Sequence, residues 1–293
     1  MADNHRRFVW HELMTTDIVG ASAFYTKVIG WRARDTSTSN LPYTVLTSGD
    51  VEIGGLIGLP EEATKNGAMP RWMGYVGVKD VAEATDQIRR LGGTIYVPPT
   101  ETNIGRISVV ADLEMATLGL IDETQSRQND SCGLSQPGHV GWCELLVADP
   151  DKAFAFYDKL FGWRRANAEA GAMDSYQLLS AGNQTIGGIF AKREREPASF
   201  WLYYFNVDDI DAATHRVKEA GGRIFEGPVE VPGDTWVARC VDPQGATFAI
   251  QGKRGGAGYA QAPAAEIRWS AAWGDISSQG KITAKPGKGR RPS

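Results

Sequence analysis

The sequence predicts an α+β fold made of two tandem copies, each built from two β-α-β-β-β units. Three observations carry this. Trp10, Glu12, Leu13, Asp17, Phe24, Tyr25, Gly30 and Trp31 return 132 residues later as Trp142, Glu144, Leu145, Asp149, Phe156, Tyr157, Gly162 and Trp163. Such a long period is outside the range of solenoid repeats, so each copy is expected to be a complete domain with its own core. Four helical stripes each begin at an Asp and end at a Gly, and alternating apolar runs separate them.

The elements follow in order. Residues 8–16 alternate as a half-buried strand, and Asp17 then offers a side-chain oxygen to the free amides of a helix carrying Ala21, Phe24, Tyr25 and Val28. Gly30 stops that helix, and a short strand is expected near Trp31. Residues 43–46 and 51–56 read as strands joined by a tight hairpin at Gly49-Asp50. The second unit opens with a strand at residues 72–78. Its helix is capped by Asp80, carries Val81, Ala84, Ile88 and Leu91 on one stripe, and ends at Gly92-Gly93. Strands near residues 94–97, 107–110 and 116–121 complete it. The second copy rebuilds the first helix with Pro150, Ala153, Phe156, Tyr157 and Leu160, and the other with Asp209, Ile210, Ala213, Val217 and Ala220. The expected domains are residues 8–123 and 138–253, joined by a polar linker at 124–137. Residues 254–293, poor in apolar side chains and basic at their end, are expected to form a flexible tail.

Composition narrows the function. The chain has 293 residues, a net charge of −4 and 42% hydrophobic residues, ordinary values for a globular protein with no overall attraction to nucleic acid or anionic membrane. No run approaches the roughly 18 apolar residues of a membrane span, and no export signal stands at the start. Cys132, Cys143 and Cys240 make neither a disulfide framework nor a zinc ribbon. A cytoplasmic protein, monomeric or homodimeric, with a small-molecule partner is expected.

The units Phe24-Tyr25…Gly30-Trp31 and Tyr43…Gly49…Gly54-Gly55, repeated at residues 156–188, and the turn Asp242-Pro243-Gln244-Gly245 resemble the vicinal oxygen chelate superfamily of glyoxalases, bleomycin-resistance proteins and extradiol dioxygenases. The resemblance spans about residues 8–252 and is nearest to the tandem glyoxalase-like or hydroxylase-like branch. The first copy has Asp112-Leu113-Glu114-Met115 at that turn, which is expected to be built differently. The resemblance implies that two units pair into a curled mixed sheet around a cavity, with helices outside, and that His, Glu or Gln at four places holds a divalent metal. Here those places fall on Trp10, Gly54, Met73 and Gly119 in one copy and on Trp142, Gly187, Leu202 and Ala249 in the other. None offers imidazole or carboxylate, so no metal and no other cofactor is expected.

Residues two apart on a strand share a face. Trp10, Glu12 and Met14 should therefore line one cavity with Met73, Tyr75 and Thr117, and Trp142, Glu144 and Leu146 the other with Leu202, Tyr204, Asn206 and Thr247. Indole, phenol, hydroxyl and one carboxylate suit an aromatic or amphipathic small molecule. Glu12 and Glu144, with Tyr75 and Tyr204, are the acid-base candidates, since a carboxyl against Trp in a dry pocket tends toward a raised pKa. Alternatively the two glutamates accept hydrogen bonds from nearby backbone or from an arginine such as Arg71, Arg106 or Arg239 and brace the sheet. By alternation His11 faces away, as a packing or surface residue, and Trp31, Trp72, Trp163 and Trp201 belong to the core. Two functions follow: a metal-free small-molecule-binding protein, or a glyoxalase-like or hydroxylase-like lyase, isomerase or hydroxylase using Glu and Tyr.

Overall fold

The computed structural model of the protein describes residues 6–39, 41–65, 67–122, 135–166, 176–192 and 198–255. Most of the expected linker and nearly all of the expected tail lie outside these residues. Arg254 is described and is pinned, bonding Asp211 and stacking 3.6 Å over the Trp236 ring.

The first copy forms β1 (Phe8–Thr15), α1 (Ile18–Ile29), β2 (Arg32–Asp35), β3 (Tyr43–Ser48), β4 (Val51–Gly58), a short α2 (Glu61–Lys65), β5 (Arg71–Val78), α3 (Val81–Arg90), β6 (Thr94–Thr102), β7 (Gly105–Ala111) and β8 (Thr117–Asp122). The second forms β9 (Val140–Val147), α4 (Pro150–Phe161), β10 (Arg164–Arg165), β11 (Tyr176–Ala181), β12 (Gln184–Ala191), β13 (Phe200–Asp209), α5 (Ile210–Glu219), β14 (Arg223–Val231), β15 (Thr235–Val241) and β16 (Thr247–Lys253). Each copy makes one eight-stranded mixed sheet, in the orders β2-β3-β4-β1-β5-β8-β7-β6 and β10-β11-β12-β9-β13-β16-β15-β14. The first strands of the two units lie side by side and antiparallel at each sheet's centre, as β1 with β5 and β9 with β13. This is the α+β architecture of paired β-α-β-β-β units. Helix α2 is the one helix of the first copy that sequence did not anticipate, and no residue of it is buried.

Local chemistry explains the boundaries. Asp17, Asp80, Asp149 and Asp209 each accept a backbone amide of the helix they precede, satisfying donors that have no partner inside the helix. Gly30 and Gly162 end α1 and α4 at φ 89° and 68°, a left-handed turn that glycine enters at little cost.

Instead of two separate cores, one apolar cluster runs through both copies, and the two sheets belong to one compact unit. Trp31, Trp72, Phe205 and Phe248 of opposite copies surround Tyr25, while Phe8 packs on Trp163, Trp201 and Tyr203. The contacts are reciprocal. Tyr25 donates its hydroxyl to Asp242 across 3.1 Å, and Tyr157 donates to Asp112 across 3.0 Å. Trp72 and Trp201 in turn donate their indole N–H to these two phenols.

The turns bearing Asp112 and Asp242 correct an expectation. They are built alike: Asp112 accepts the amides of Glu114 and Ala116, and Asp242 those of Gln244 and Ala246. Met115, at φ 69°, takes the left-handed place that Gly245 takes at φ 99°. The carboxylate and its two amides define this turn, so Pro and Gly are dispensable to it.

A second, smaller cluster lies on the other face of the first sheet. It contains Trp10, Tyr43, Val45, Met73, Tyr75, Ile107 and Ile121, edged by Met14, Ile57, Val97, Ile104 and Val109. Among the described residues, no helix residue and no residue of the second copy contributes to it. Strands β3 and β7 lie far apart in the sheet order, so burial together requires the sheet to curl over its own inner face. Among the described residues no helix is long and apolar enough to cross a membrane.

Candidate ligand site

On the first inner face the strand register sets Glu12 between Gly55 on β4 and Met73 on β5, and sets Trp10 opposite Tyr75, which pairs in turn with Gly119 on β8. Glu12 is 5% exposed. Tyr43 donates its hydroxyl to Glu12 Oε1 and Tyr75 donates to Oε2, both at 2.7 Å. The Trp10 indole N–H donates to the Tyr43 oxygen at 3.2 Å. Burial raises the Glu12 pKa, and the two phenol hydrogen bonds pull it partly back. Burial and the neighbouring Glu12 charge hold the Tyr75 phenol far above its usual range, so it stays a donor.

The glycines here make room for phenols. A Cβ on Gly55 would lie 2.1 Å from the Tyr43 hydroxyl, and one on Gly119 would lie 2.1 Å from the Tyr75 ring. Sequence placed Gly54 and Gly187 at the hairpin-strand position. The register instead puts Gly55 and Gly188 opposite the glutamates, while Gly54 and Gly187 pair with the outward-facing His11 and Cys143. The parity argument for His11 holds. It is buried against Tyr203, 4.9 Å between ring centroids, and burial lowers its pKa to about 3.

The second inner face uses the same frame with different chemistry. Tyr204 donates to Glu144 Oε2 at 2.7 Å, and Arg239 Nη2 donates to the same oxygen at 2.5 Å. Arg239 also reaches the Glu226 carboxylate at 3.6 Å and the Tyr204 oxygen at 3.4 Å. Trp142 donates to the Tyr176 hydroxyl at 2.8 Å, and Tyr176 also hydrogen-bonds Glu144. Burial alone would lower the Arg239 pKa, but Tyr204 and Glu144 beside it more than offset that and raise it. Of the three arginines that could pair with a buried glutamate, it is Arg239 that does so, at Glu144.

Other anticipated residues lie around these clusters. Leu202 is buried opposite Glu144, Thr117 and Thr247 are half-buried at the starts of β8 and β16, and Met14 is half-buried opposite Arg71. Asn206 is held elsewhere, bonding the Gln136 carbonyl and the Gln251 amide. Sequence reasoning passed over Tyr43 and Tyr176 as site residues. Their recurrence in both copies two strands away from the glutamates was the available signal. Among the described residues no group of three or more His, Cys, Asp and Glu side chains is placed to hold a metal ion.

The family model described as Glyoxalase/Bleomycin resistance protein/Dioxygenase superfamily matches residues 7–117 and 139–250. The protein CFP32 of Mycobacterium tuberculosis (strain CDC 1551 / Oshkosh), whose name provisionally assigns it as a glyoxylase, is 31% identical over 244 residues, covering 82% of this chain and 92% of that one. The anthracycline biosynthesis protein DauV of Streptomyces sp. (strain C5) is 26% identical over 258 residues, covering 82% and 91%. Among solved structures, the Mn(II)-bound glyoxalase from Novosphingobium aromaticivorans superposes with a TM-score of 0.57 at 14% identity, covering 86% of this chain and 83% of that one. A mutant 4-hydroxymandelate synthase from Streptomyces coelicolor gives 0.58 at 13%, covering 87% and 94%. At these identities the structural likeness speaks to fold.

Proposed function

Because the chain belongs to the glyoxalase/bleomycin resistance/dioxygenase superfamily along both halves, we propose that it binds a small, partly aromatic molecule on one or both inner faces without a bound metal. The observation that carries this is the donor set around Glu12. Its neighbours on the inner face are Trp10, Gly55, Met73, Tyr75 and Gly119, which bring indole, hydrogen, thioether and phenol. A divalent ion needs several carboxylate or imidazole donors converging on it. Here the one carboxylate is already held by two phenols, and the rings of Tyr43 and Tyr75 lie where Cβ atoms at Gly55 and Gly119 would stand. On the second face the Arg239 guanidinium sits against Glu144, and a fixed cation there opposes a second one. These residues do not fit a metal.

An apolar surface with a few convergent polar groups is the usual composition of a small-molecule site. An aromatic ligand is in keeping with the relative named for the biosynthesis of anthracyclines, which are fused-ring aromatic compounds. Metal analysis of the purified protein, with thermal melts before and after addition of Ni, Zn, Mn and Fe, tests the reading. Substoichiometric metal and unchanged melting are expected, and a tightly held stoichiometric ion would overturn it.

One observation favours a second reading, acid-base catalysis by Glu12 with Tyr75. A buried carboxyl whose pKa burial raises, hydrogen-bonded to a phenol, is a pair from which proton transfer can be built. Glu12→Gln separates the two. A binder keeps its affinity within a few-fold, whereas catalysis loses on the order of 10²-fold in turnover.

A further inference from the structure

The two inner faces share one frame, but their side chains differ in kind. On the first, Val97 pairs with Val109, and Val109 with Gly119. On the second, Glu226 pairs with Arg239, and Arg239 with Ala249. Gly119 and Ala249 each stand seven residues after the turn aspartates Asp112 and Asp242, so the places correspond. Where one copy presents two valines, the other presents a carboxylate and a guanidinium. The consequences extend across each face. The first carries an apolar cluster whose margin of Met14, Ile57, Val97, Ile104 and Val109 is partly exposed. The second carries the linked charges Glu226, Arg239 and Glu144, all less than a tenth exposed.

We infer that the first inner face alone is the site for an uncharged, phenol-like aromatic ligand, and that the pair Glu226 and Arg239 excludes such a ligand from the second. This deepens the binding function proposed above and rests on it. An aromatic ring laid on the first face covers half-exposed aliphatic carbon and gains by it. Laid on the second, it must lie against a buried ion pair and remove what solvation that pair retains, a cost with no new hydrogen bonds to the charges in return. Charge class follows from Glu12. An anionic ligand would be brought beside a carboxyl that burial already strains to ionise, whereas a neutral hydroxyl can donate to it alongside the two phenols.

The test uses the full chain and two probes with the same rings, 2-naphthol, which is uncharged near pH 7, and 2-naphthoate, which is anionic there. Equilibrium dialysis should find one 2-naphthol per chain and at least about tenfold weaker binding of 2-naphthoate. Val97→Glu/Val109→Arg, which gives the first face the second face's pair, should weaken 2-naphthol about tenfold or more. Val109→Phe, which keeps the face apolar and fills it, should do the same should the charged double variant fail to fold, as read from its thermal melt. Phe190→Ala, on the second inner face beside Tyr176, should leave the affinity within about twofold. Two naphthols per chain, or a loss with Phe190→Ala and none with the Val109 variants, would overturn the assignment to the first face while the binding function stands. Equal affinity for the two probes would overturn the ligand class. No binding of either probe would sink both the inference and the binding function, and metal content is read separately by the analysis already described.

Discussion

The Tyr25 hydroxyl of one copy donates to the Asp242 carboxylate of the other, and the same oxygen receives the Trp72 indole N–H at 2.8 Å. Tyr157 repeats the arrangement with Asp112 and Trp201. Each helix that opens a copy is thereby fastened to the last turn of its neighbour. Tyr25→Phe removes one acceptor and one donor from a fully buried cluster and leaves the Trp72 N–H unmatched. Chemical denaturation should show a loss of about 1–3 kcal/mol with an unchanged dependence on denaturant. A loss below about 0.3 kcal/mol would mean that the fastening adds nothing to stability.

His11 gives a pH dependence of known sign. Its folded pKa, about 3, lies below the ordinary histidine value, so the unfolded chain binds the proton more readily. The stability tied to neutral His11 is present above about pH 6.5 and is lost as pH falls from there toward 3. His11→Leu removes the proton site, along with a buried ring nitrogen that has no hydrogen-bond partner. The variant's advantage over the parent should therefore grow by about 1.4 kcal/mol per pH unit below about 6.5. Glu12, Asp112 and Asp242 are raised by burial and act in the opposite sense, losing stability as pH rises through their shifted values, but they are common to both proteins and cancel in the difference. Melts of both proteins at about pH 5 and pH 7.5 check this, and parallel curves would refute it.

Met115 holds a left-handed backbone angle with its side chain half in solvent. Met115→Gly relieves the clash of Cβ with the backbone at the cost of more freedom in the unfolded chain. A net gain of about 0.5–1 kcal/mol is expected. Gly245→Ala, at the matching place in the second copy, should lose a similar amount, and both are read from thermal melts.

Arg239→Met leaves Glu144 and Glu226 buried without their cation. The expected cost is about 3–5 kcal/mol, measured by denaturation. Adding Glu226→Gln should restore part of it, because a neutral amide then replaces one of the stranded charges. No rescue at all would show that the two carboxylates are not coupled through Arg239.

Several features were legible residue by residue. The Asp caps, the Gly stops and the hairpin at Gly49-Asp50 depend on neighbours within four positions, and all are present. Strand alternation placed Glu12 with Trp10 and Glu144 with Trp142 on inner faces and turned His11 away. The position of Gly55, and not Gly54, across from Glu12 was not legible, because a register between two strands depends on how their faces and the chain between them pack together, which neither strand records alone. Nor was the likeness of the Asp112 and Asp242 turns, since Met115 conceals a backbone angle that Gly245 advertises.

Local sequence determined that this protein has two copies of a paired unit, where each of the four Asp-capped helices begins and ends, and which side chains share a face, because repeats, caps and alternation act over short stretches of chain. Tertiary structure decided that the copies share one core through Tyr25, Asp242, Tyr157 and Asp112, and that Tyr43 and Tyr75 converge on Glu12 while Arg239 claims Glu144. Those contacts join residues 31 to 217 positions apart, and only the curl and packing of the two sheets bring them within bonding distance.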